Sequence, residues 1–159
     1  MGTQRADGSS GEPRPAIRRF TDLRVWVRAH EVFLSILRDA SGFPSRTPSL
    51  FLTEQTLRSA GSICANIAEG FGRSRRKFVN ALDIALGEAQ ETENWLYKMR
   101  DAELLPRDVA DERVRSAIGI QKMLTALRSR IATNENAIRE ASADYAVPME
   151  DAADAPSDN

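Results

Sequence analysis

The sequence is poor in the residue types that build covalent and metal-bound frameworks. Its 159 residues include one cysteine, Cys64, and one histidine, His30. A single cysteine excludes a disulfide within the chain and is typical of a reducing compartment, which predicts a cytoplasmic location. The di-iron sites of helical bundles need carboxylates and histidines in paired Glu-x-x-His motifs, and one histidine cannot supply them.

Long apolar segments and familiar ligand-binding motifs are missing too. No run approaches the roughly 20 apolar residues that a membrane helix needs, and the first fifteen residues lack the apolar core of a signal peptide. The sequence contains no phosphate-binding glycine loop, no dinucleotide fingerprint and no zinc-ligand spacing. We therefore expect no membrane insertion, no secretion, no cofactor and no metal.

The residues that are present favour one all-α domain. Apolar residues make up 42% of the chain, charged residues 28% and aromatic residues 6%, and a mixture rich in Leu, Ala, Glu and Arg favours helix. Gly, Ser, Pro and charge dominate residues 1–17, which we expect to form a flexible leader. Residues 141–159 carry five acidic and no basic side chains and are expected to form a disordered acidic tail.

Removing these two ends changes the sign of the charge. Residues 18–140 contain 20 basic and 16 acidic side chains, a net charge of +4, although the whole chain has −1. This excess is well short of what a dedicated nucleic-acid module carries.

Two helices are expected in the first half of the domain. Helix 1 should begin at Thr21 or Asp22, either of which can cap it, and should end before Gly42. Its apolar face is expected to contain the residues that recur at three- and four-residue steps, Leu23, Trp26, Val27, His30, Phe33, Leu34 and Leu37. Helix 2 should span about 49–71, with an apolar surface broad enough to be buried on more than one side.

Two further helices follow. Helix 3 is expected over about 75–104 with Ser74 as its cap, and Gly87 in its middle suggests a close helix crossing. Helix 4 follows the turn at Pro106 and continues through Ile131. Four amphipathic helices with short connections predict an antiparallel up-down-up-down four-helix bundle.

Helix 2 also carries a second, polar stripe of mostly small residues. Its members recur at four, three, four and three residues and are Gln55, Ser59, Ser62, Asn66 and Glu69. Small residues let another backbone come close, so this stripe is a candidate for contact between subunits. The alternative is that it forms internal polar contacts within the bundle.

Basic residues crowd the turn into helix 3. The cluster consists of Arg73, Arg75, Arg76 and Lys77. The unpaired amides of a helix N-terminus favour an anion such as phosphate, so these side chains are candidate RNA-binding residues. The start of helix 1 would extend the cluster if it lies nearby, through Arg24 and Arg28 together with Arg18 and Arg19. The alternative is an ordinary solvated turn.

No residue pattern points to catalysis. His30 lies on an apolar helix face and Cys64 lies within an apolar run, so packing explains both better than a Cys-His nucleophile pair does. Four glutamates could act as acid and base, but a solvated charged face accounts for Glu69, Glu88, Glu91 and Glu93. We predict that the protein is not an enzyme.

Three segments resemble a known family. The run Phe20 to Trp26 reads FTDLRVW, the run Ser62 to Gly70 reads SICANIAEG, and Ile84 to Gly87 reads IALG. Together they resemble the bacterial four-helix-bundle proteins encoded in 23S rRNA intervening sequences. The resemblance covers most of residues 18–131. The residues that match the family pattern are Asn66, Glu69, Gly70, Arg73 and Phe78, and no catalytic role attaches to them. Gly70 and Phe78 join the polar stripe of helix 2 as candidate oligomer-contact or structural residues.

The resemblance implies an antiparallel bundle that assembles as a ring-like homopentamer, has no enzymatic activity and is linked to RNA. A related branch comprises the accessory variability proteins of diversity-generating retroelements, which bind a reverse transcriptase and its RNA through a basic surface. Our leading hypothesis is an oligomeric binding protein associated with RNA or a ribonucleoprotein. The alternative is a structural or protein-binding scaffold, such as a reverse-transcriptase accessory protein.

Overall fold

The computed structural model describes residues 17–43 and 47–133, and the predicted acidic tail and nearly all of the predicted leader lie outside these ranges. A short 3-10 turn, Phe20–Asp22, precedes four helices. The helices are α1 (Arg24–Ala40), α2 (Thr47–Gly70), α3 (Arg75–Asp101) and α4 (Arg107–Thr133). The predicted all-α class and the number of helices are confirmed.

Contacts between helices show that neighbouring helices run in opposite directions. Along the α2–α3 pair and the α3–α4 pair, one residue number rises as the other falls. The contacts are Phe51 with Trp95 and Arg58 with Glu91, then Asp83 with Arg128 and Arg100 with Asp111. At the end of α1, Asp39 pairs with Arg113 near the start of α4. The helices therefore form an antiparallel bundle, with the start of α1, the turn from α2 to α3 and the end of α4 at one end.

The core draws apolar side chains from all four helices. Val25, Ile63, Leu96 and Leu124 are each at most 1% exposed, and full burial of one such side chain stabilises a protein by about 1.5–3 kcal/mol. Within the described ranges, no helix has both the length and the apolar character of a membrane-spanning segment.

The predicted apolar face of helix 1 is wrong in register. The buried residues of α1 are Val25, Ala29, Val32 and Ile36, whereas Leu37 is 45% exposed. Trp26 and Phe33, which were predicted for the buried face, are only half-buried and pack against the edge of the core. Apolar side chains therefore cover more than one side of α1. Periodicity alone therefore could not choose the side that faces the centre.

The predicted capping of helix 1 is also wrong. Leu23 occupies the N-cap position of α1 and makes no side-chain capping bond. The Asp22 carboxylate instead accepts hydrogen bonds from the backbone N–H groups of Arg18 and Arg19, at 2.9 and 2.8 Å. Asp22 stabilises the 3-10 turn because its side chain reaches backward rather than into the helix.

Other helix ends moved by two or three residues. The second helix begins at Thr47 rather than near Ser49. Pro48 can lie in its first turn, because a proline there costs no helical hydrogen bond. The third ends at Asp101, and Glu103 adopts a left-handed conformation with φ of 56°. Ser74 is the N-cap residue of α3, as predicted, but its side chain makes no capping hydrogen bond.

Gly87 does not mark a close helix crossing, which corrects our expectation. A Cβ placed on Gly87 would meet no described atom within 4 Å, whereas one on Gly70 would lie 2.4 Å from the Ala81 Cβ. The close approach of α2 and α3 is therefore at the end of α2.

Candidate nucleic-acid interface

The turn from α2 to α3 is built on two glycines with different roles. Gly70 is the last residue of α2 and is buried, and a Cβ there would also lie 3.0 Å from the Phe78 ring. Gly72 has φ of 76°, the left-handed region that favours glycine. The first glycine lets α3 pack closely against α2, and the second lets the chain reverse.

Aromatic packing fixes the start of α3 beneath this turn. Phe78 is 1% exposed, and the Phe71 ring meets its ring edge-on at a centroid distance of 6.1 Å. Phe78 and Gly70, which were both predicted as oligomer-contact or structural residues, therefore hold the turn in place. Their role lies within the chain.

An open groove of about 540 Å³ lies between the end of α2 and the start of α3. The side chains and backbone that line it are Asn66, Glu69, Gly70, Arg73, Ser74, Arg76, Lys77, Asn80, Ala81 and Ile84. Four of the five residues that matched the family pattern, including the predicted RNA-binding residue Arg73, thus converge with two further predicted RNA-binding residues, Arg76 and Lys77. We call this surface the α2–α3 groove.

The start of α3 is strongly cationic: Arg76 and Lys77 line the α2–α3 groove, and Arg75, the first residue of α3, precedes them without lining it. Arg75, Arg76 and Lys77 are exposed, and none forms an ion pair with a residue in the described ranges. Arg73 differs, because its Nε donates to the Glu69 carbonyl oxygen at 2.8 Å and its guanidinium lies 3.7 Å from the Glu69 carboxylate. Three positive charges therefore remain for an external anion.

The basic residues of α1 do not line this groove. Arg28 lines a different groove, between α1 and α4, and pairs with Glu31 at 2.7 Å. Arg24 is exposed in the first turn of α1. The structure therefore groups Arg73 with Arg75, Arg76 and Lys77 and leaves the α1 arginines apart.

Sequence reasoning missed the rest of the groove lining. Asn80, Ala81 and Ile84 follow Arg76 and Lys77 by one and two turns of α3, so helical periodicity places them on the same face. Ile84 is 46% exposed. An apolar side chain thus extends the basic groove along α3.

The polar stripe of α2 divides between the bundle interior and the surface. Ser59 is fully buried, Gln55, Ser62 and Asn66 are half-buried, and Glu69 is exposed. The Ser59 and Thr92 hydroxyls lie 3.0 Å apart, and the Asn66 side-chain amide donates to the Ser62 carbonyl oxygen at 2.8 Å. Ser59 therefore bridges α2 and α3 inside the chain, as the alternative interpretation of the stripe requires.

The groups considered for catalysis have other roles. Burial raises the pKa of the Cys64 thiol from 9.0 to about 11, which disfavours the reactive thiolate. His30 stacks on Trp26 with ring centroids 5.0 Å apart. Within the described ranges, no group of three His, Cys, Asp or Glu side chains is arranged to hold a metal ion.

The glutamates of α3 are directed toward two different helices. Glu91 pairs with Arg58 of α2, and Glu93 accepts a hydrogen bond from the Gln121 amide of α4 at 2.6 Å. Burial, then the charge of Glu91, raises the pKa of Glu88. Glu88 and Glu91 thus lie near each other on the side of α2, whereas Glu93 faces α4.

The fold and this site define a class: an all-α bundle protein with an exposed basic groove at one end. The sequence model of the 23S rRNA-intervening sequence protein family matches residues 21–126. The chain belongs to that family. No match was found among curated proteins.

A solved structure has the same fold. It is a protein of unknown function from the S23 ribosomal protein family of Bacteroides thetaiotaomicron VPI-5482. The two chains are 31% identical with a TM-score of 0.60, over 65% of this chain and 97% of that one.

Proposed function

We propose that this chain is a non-enzymatic, oligomeric binding protein that associates with RNA or a ribonucleoprotein through the α2–α3 groove. The observation that carries the proposal is the group of three exposed cations, Arg75, Arg76 and Lys77, that has no ion-pair partner in the described part of the chain. Phosphate oxygens are the complementary ligands, and the N-terminus of α3 adds partial positive charge. A cytoplasmic location belongs to the same proposal.

The number of cations sets the expected strength and salt dependence. Three phosphate contacts give a slope of log affinity against log salt of about −2.7 for a duplex, so affinity falls roughly 40-fold between 50 and 200 mM salt. Contacts of this kind position an RNA without reading its sequence. We therefore expect modest, salt-sensitive binding with little sequence preference.

The test compares two charge-matched variants in binding a short stem-loop RNA over a salt series. Arg75→Gln/Arg76→Gln/Lys77→Gln should lose most of the affinity and flatten the salt slope. The control, Arg107→Gln/Arg115→Gln/Lys122→Gln, removes three exposed cations of α4 that also lack an ion pair in the described ranges, and it should bind nearly as the wild type. Equal losses in both variants, or binding that does not respond to salt, would contradict the proposal.

The oligomer is supported by apolar side chains left at the surface. Leu37, Leu50, Phe51 and Ile84 are 45–56% exposed, and Leu50 and Phe51 are adjacent on α2, so a second subunit that packs on this helix would bury apolar surface. The homopentamer implied by the family resemblance would bury some of them. Native mass spectrometry should show a closed oligomer, and a monomer at micromolar concentration would contradict this part of the proposal.

The same apolar side chains favour a second candidate, a protein-binding scaffold. Leu50 and Phe51 lie at the start of α2, at the end of the bundle opposite the basic cluster. A reverse transcriptase is the partner that the retroelement branch of the resemblance suggests. An oligomer that ignores RNA at every salt concentration would favour the scaffold.

A further inference from the structure

The last described turn of α4 lies at the same end of the bundle as the basic cluster. Asp83 of α3 contacts Arg128 of α4, and the two helices are antiparallel. At 1.5 Å per residue, Thr133 lies about 7.5 Å beyond Arg128, in the direction of the start of α3. The chain beyond Thr133 thus begins beside the helix that carries the cations.

Enough chain follows to reach the α2–α3 groove. The first acid of the 141–159 segment, Asp144, comes eleven residues after Thr133, which allows up to about 36 Å at full extension. Neighbouring helix axes are only about 8–10 Å apart. A peptide of this length can therefore cross the edge of α3 without being fully extended.

The charges of the two parts are complementary. The segment 141–159 contains five acidic side chains and no basic one, whereas Arg75, Arg76 and Lys77 have no ion-pair partner in the described ranges. An acidic peptide tethered near a cationic groove reaches a high effective concentration there.

We infer that residues 141–159 occupy the α2–α3 groove of their own chain and compete with phosphate for Arg75, Arg76 and Lys77. The inference rests on the anion-binding surface of the proposed function, but not on RNA being its ligand. The segment acts as an internal competitor, because an RNA must displace it before its phosphates reach the cations. Weak exposed ion pairs suit this role, since a tightly held segment would block the groove permanently.

The test neutralises acids in the full-length chain without shortening it. The tail variant is Glu150→Gln/Asp151→Asn/Asp154→Asn. The control variant is Glu54→Gln/Glu103→Gln/Asp108→Asn, which removes the same charge from exposed positions at the opposite end of the bundle. Amide resonances of Arg75, Arg76 and Lys77 are compared by NMR at low salt. They should shift in the tail variant and stay in place in the control.

A second arm measures affinity for the stem-loop RNA at 50 mM salt. The tail variant should bind about fivefold more tightly than the wild type, a factor typical of losing a few exposed ion pairs, and the control less than twofold. In the Arg75→Gln/Arg76→Gln/Lys77→Gln background the gain should vanish.

The two arms separate this inference from the proposed function. Shifted resonances without RNA binding would support the docked segment while removing RNA as the ligand. Unshifted resonances, or an equal gain in affinity for both acid variants, would overturn the docked segment and leave only a general charge effect.

Discussion

Replacement of Gly70 by alanine tests the close contact that positions the basic cluster. The added Cβ would lie 2.4 Å from the Ala81 Cβ and 3.0 Å from the Phe78 ring. Carbon atoms are in favourable contact at about 3.5–4.0 Å, so α3 must move by roughly 1 Å relative to α2. Neither neighbour is the flexible end of a long side chain, and the strain cannot be relieved by a rotamer change.

The expected loss follows from two opposing effects. Overpacking costs about 1–3 kcal/mol and falls near the upper end here, while alanine gains up to about 1 kcal/mol over glycine in a helix. We therefore expect the free energy of unfolding to decrease by about 2 kcal/mol, and Tm to fall by roughly 4–8 °C.

Urea unfolding followed by circular dichroism, at one fixed protein concentration, measures this change. Gly87→Ala is the matched control, because a Cβ there meets no described atom within 4 Å, and it should stabilise by about 0.5–1 kcal/mol. Adding Ala81→Gly to Gly70→Ala removes the nearest obstacle, so the double variant should lose less than the sum of the single losses. A Gly70→Ala variant as stable as Gly87→Ala would refute the reasoning.

Three further predictions concern the interior. Ser59→Ala and Thr92→Val should each lower the free energy of unfolding by about 1 kcal/mol. In urea unfolding the double variant should lose less than the sum of the two single losses, because the two hydroxyls share one hydrogen bond. Fully additive losses would show that this bond is unimportant. Asp39→Asn should lower the free energy of unfolding by about 1–2 kcal/mol, because its half-buried partner Arg113 loses a charge-assisted hydrogen bond of 2.8 Å. Glu31→Gln, at an exposed ion pair, should change the free energy measured by thermal unfolding by less than about 0.5 kcal/mol. Equal effects of the two variants would contradict this ranking. Burial raises the pKa of the Cys64 thiol from 9.0 to about 11, so the thiol ionises at lower pH in the unfolded chain, and stability should fall as the pH rises from 9 to 11. The Cys64→Ala variant should lack this decline. Parallel pH profiles of the two proteins would argue against thiol burial.

Helical periodicity predicted the elements well because each helix buries an apolar stripe against its neighbours. The sequence predicted four helices, and their predicted ends differ from the observed ends by no more than three residues. It was wrong about the register of α1, since Leu37 and Val32 are both apolar and only tertiary packing decides which one is buried. Local propensity carries no information on the direction of the core.

The candidate site was only partly predictable for a related reason. Arg73, Arg76 and Lys77 form one cluster because they are close in sequence, but whether Arg28 joins them depends on the order of helices around the bundle. Likewise, a glycine in the sequence shows that a side chain is missing, but the sequence does not show which atoms approach the backbone at that position. That is why the close contact was expected at Gly87 and found at Gly70.

The charges at the start of α3 are hard to explain by folding alone. The first turn of α3 contains no acidic residue and begins with Arg75, Arg76 and Lys77, whereas the first turn of α4 carries Asp108. A cation at a helix N-terminus opposes the helix dipole, at a cost of about 0.3–1 kcal/mol each. Three such cations, without ion pairs in the described part of the chain, lower the stability of the isolated bundle. An anionic partner, whether RNA phosphate or the acidic segment of the chain itself, would convert this unfavourable arrangement into a favourable one.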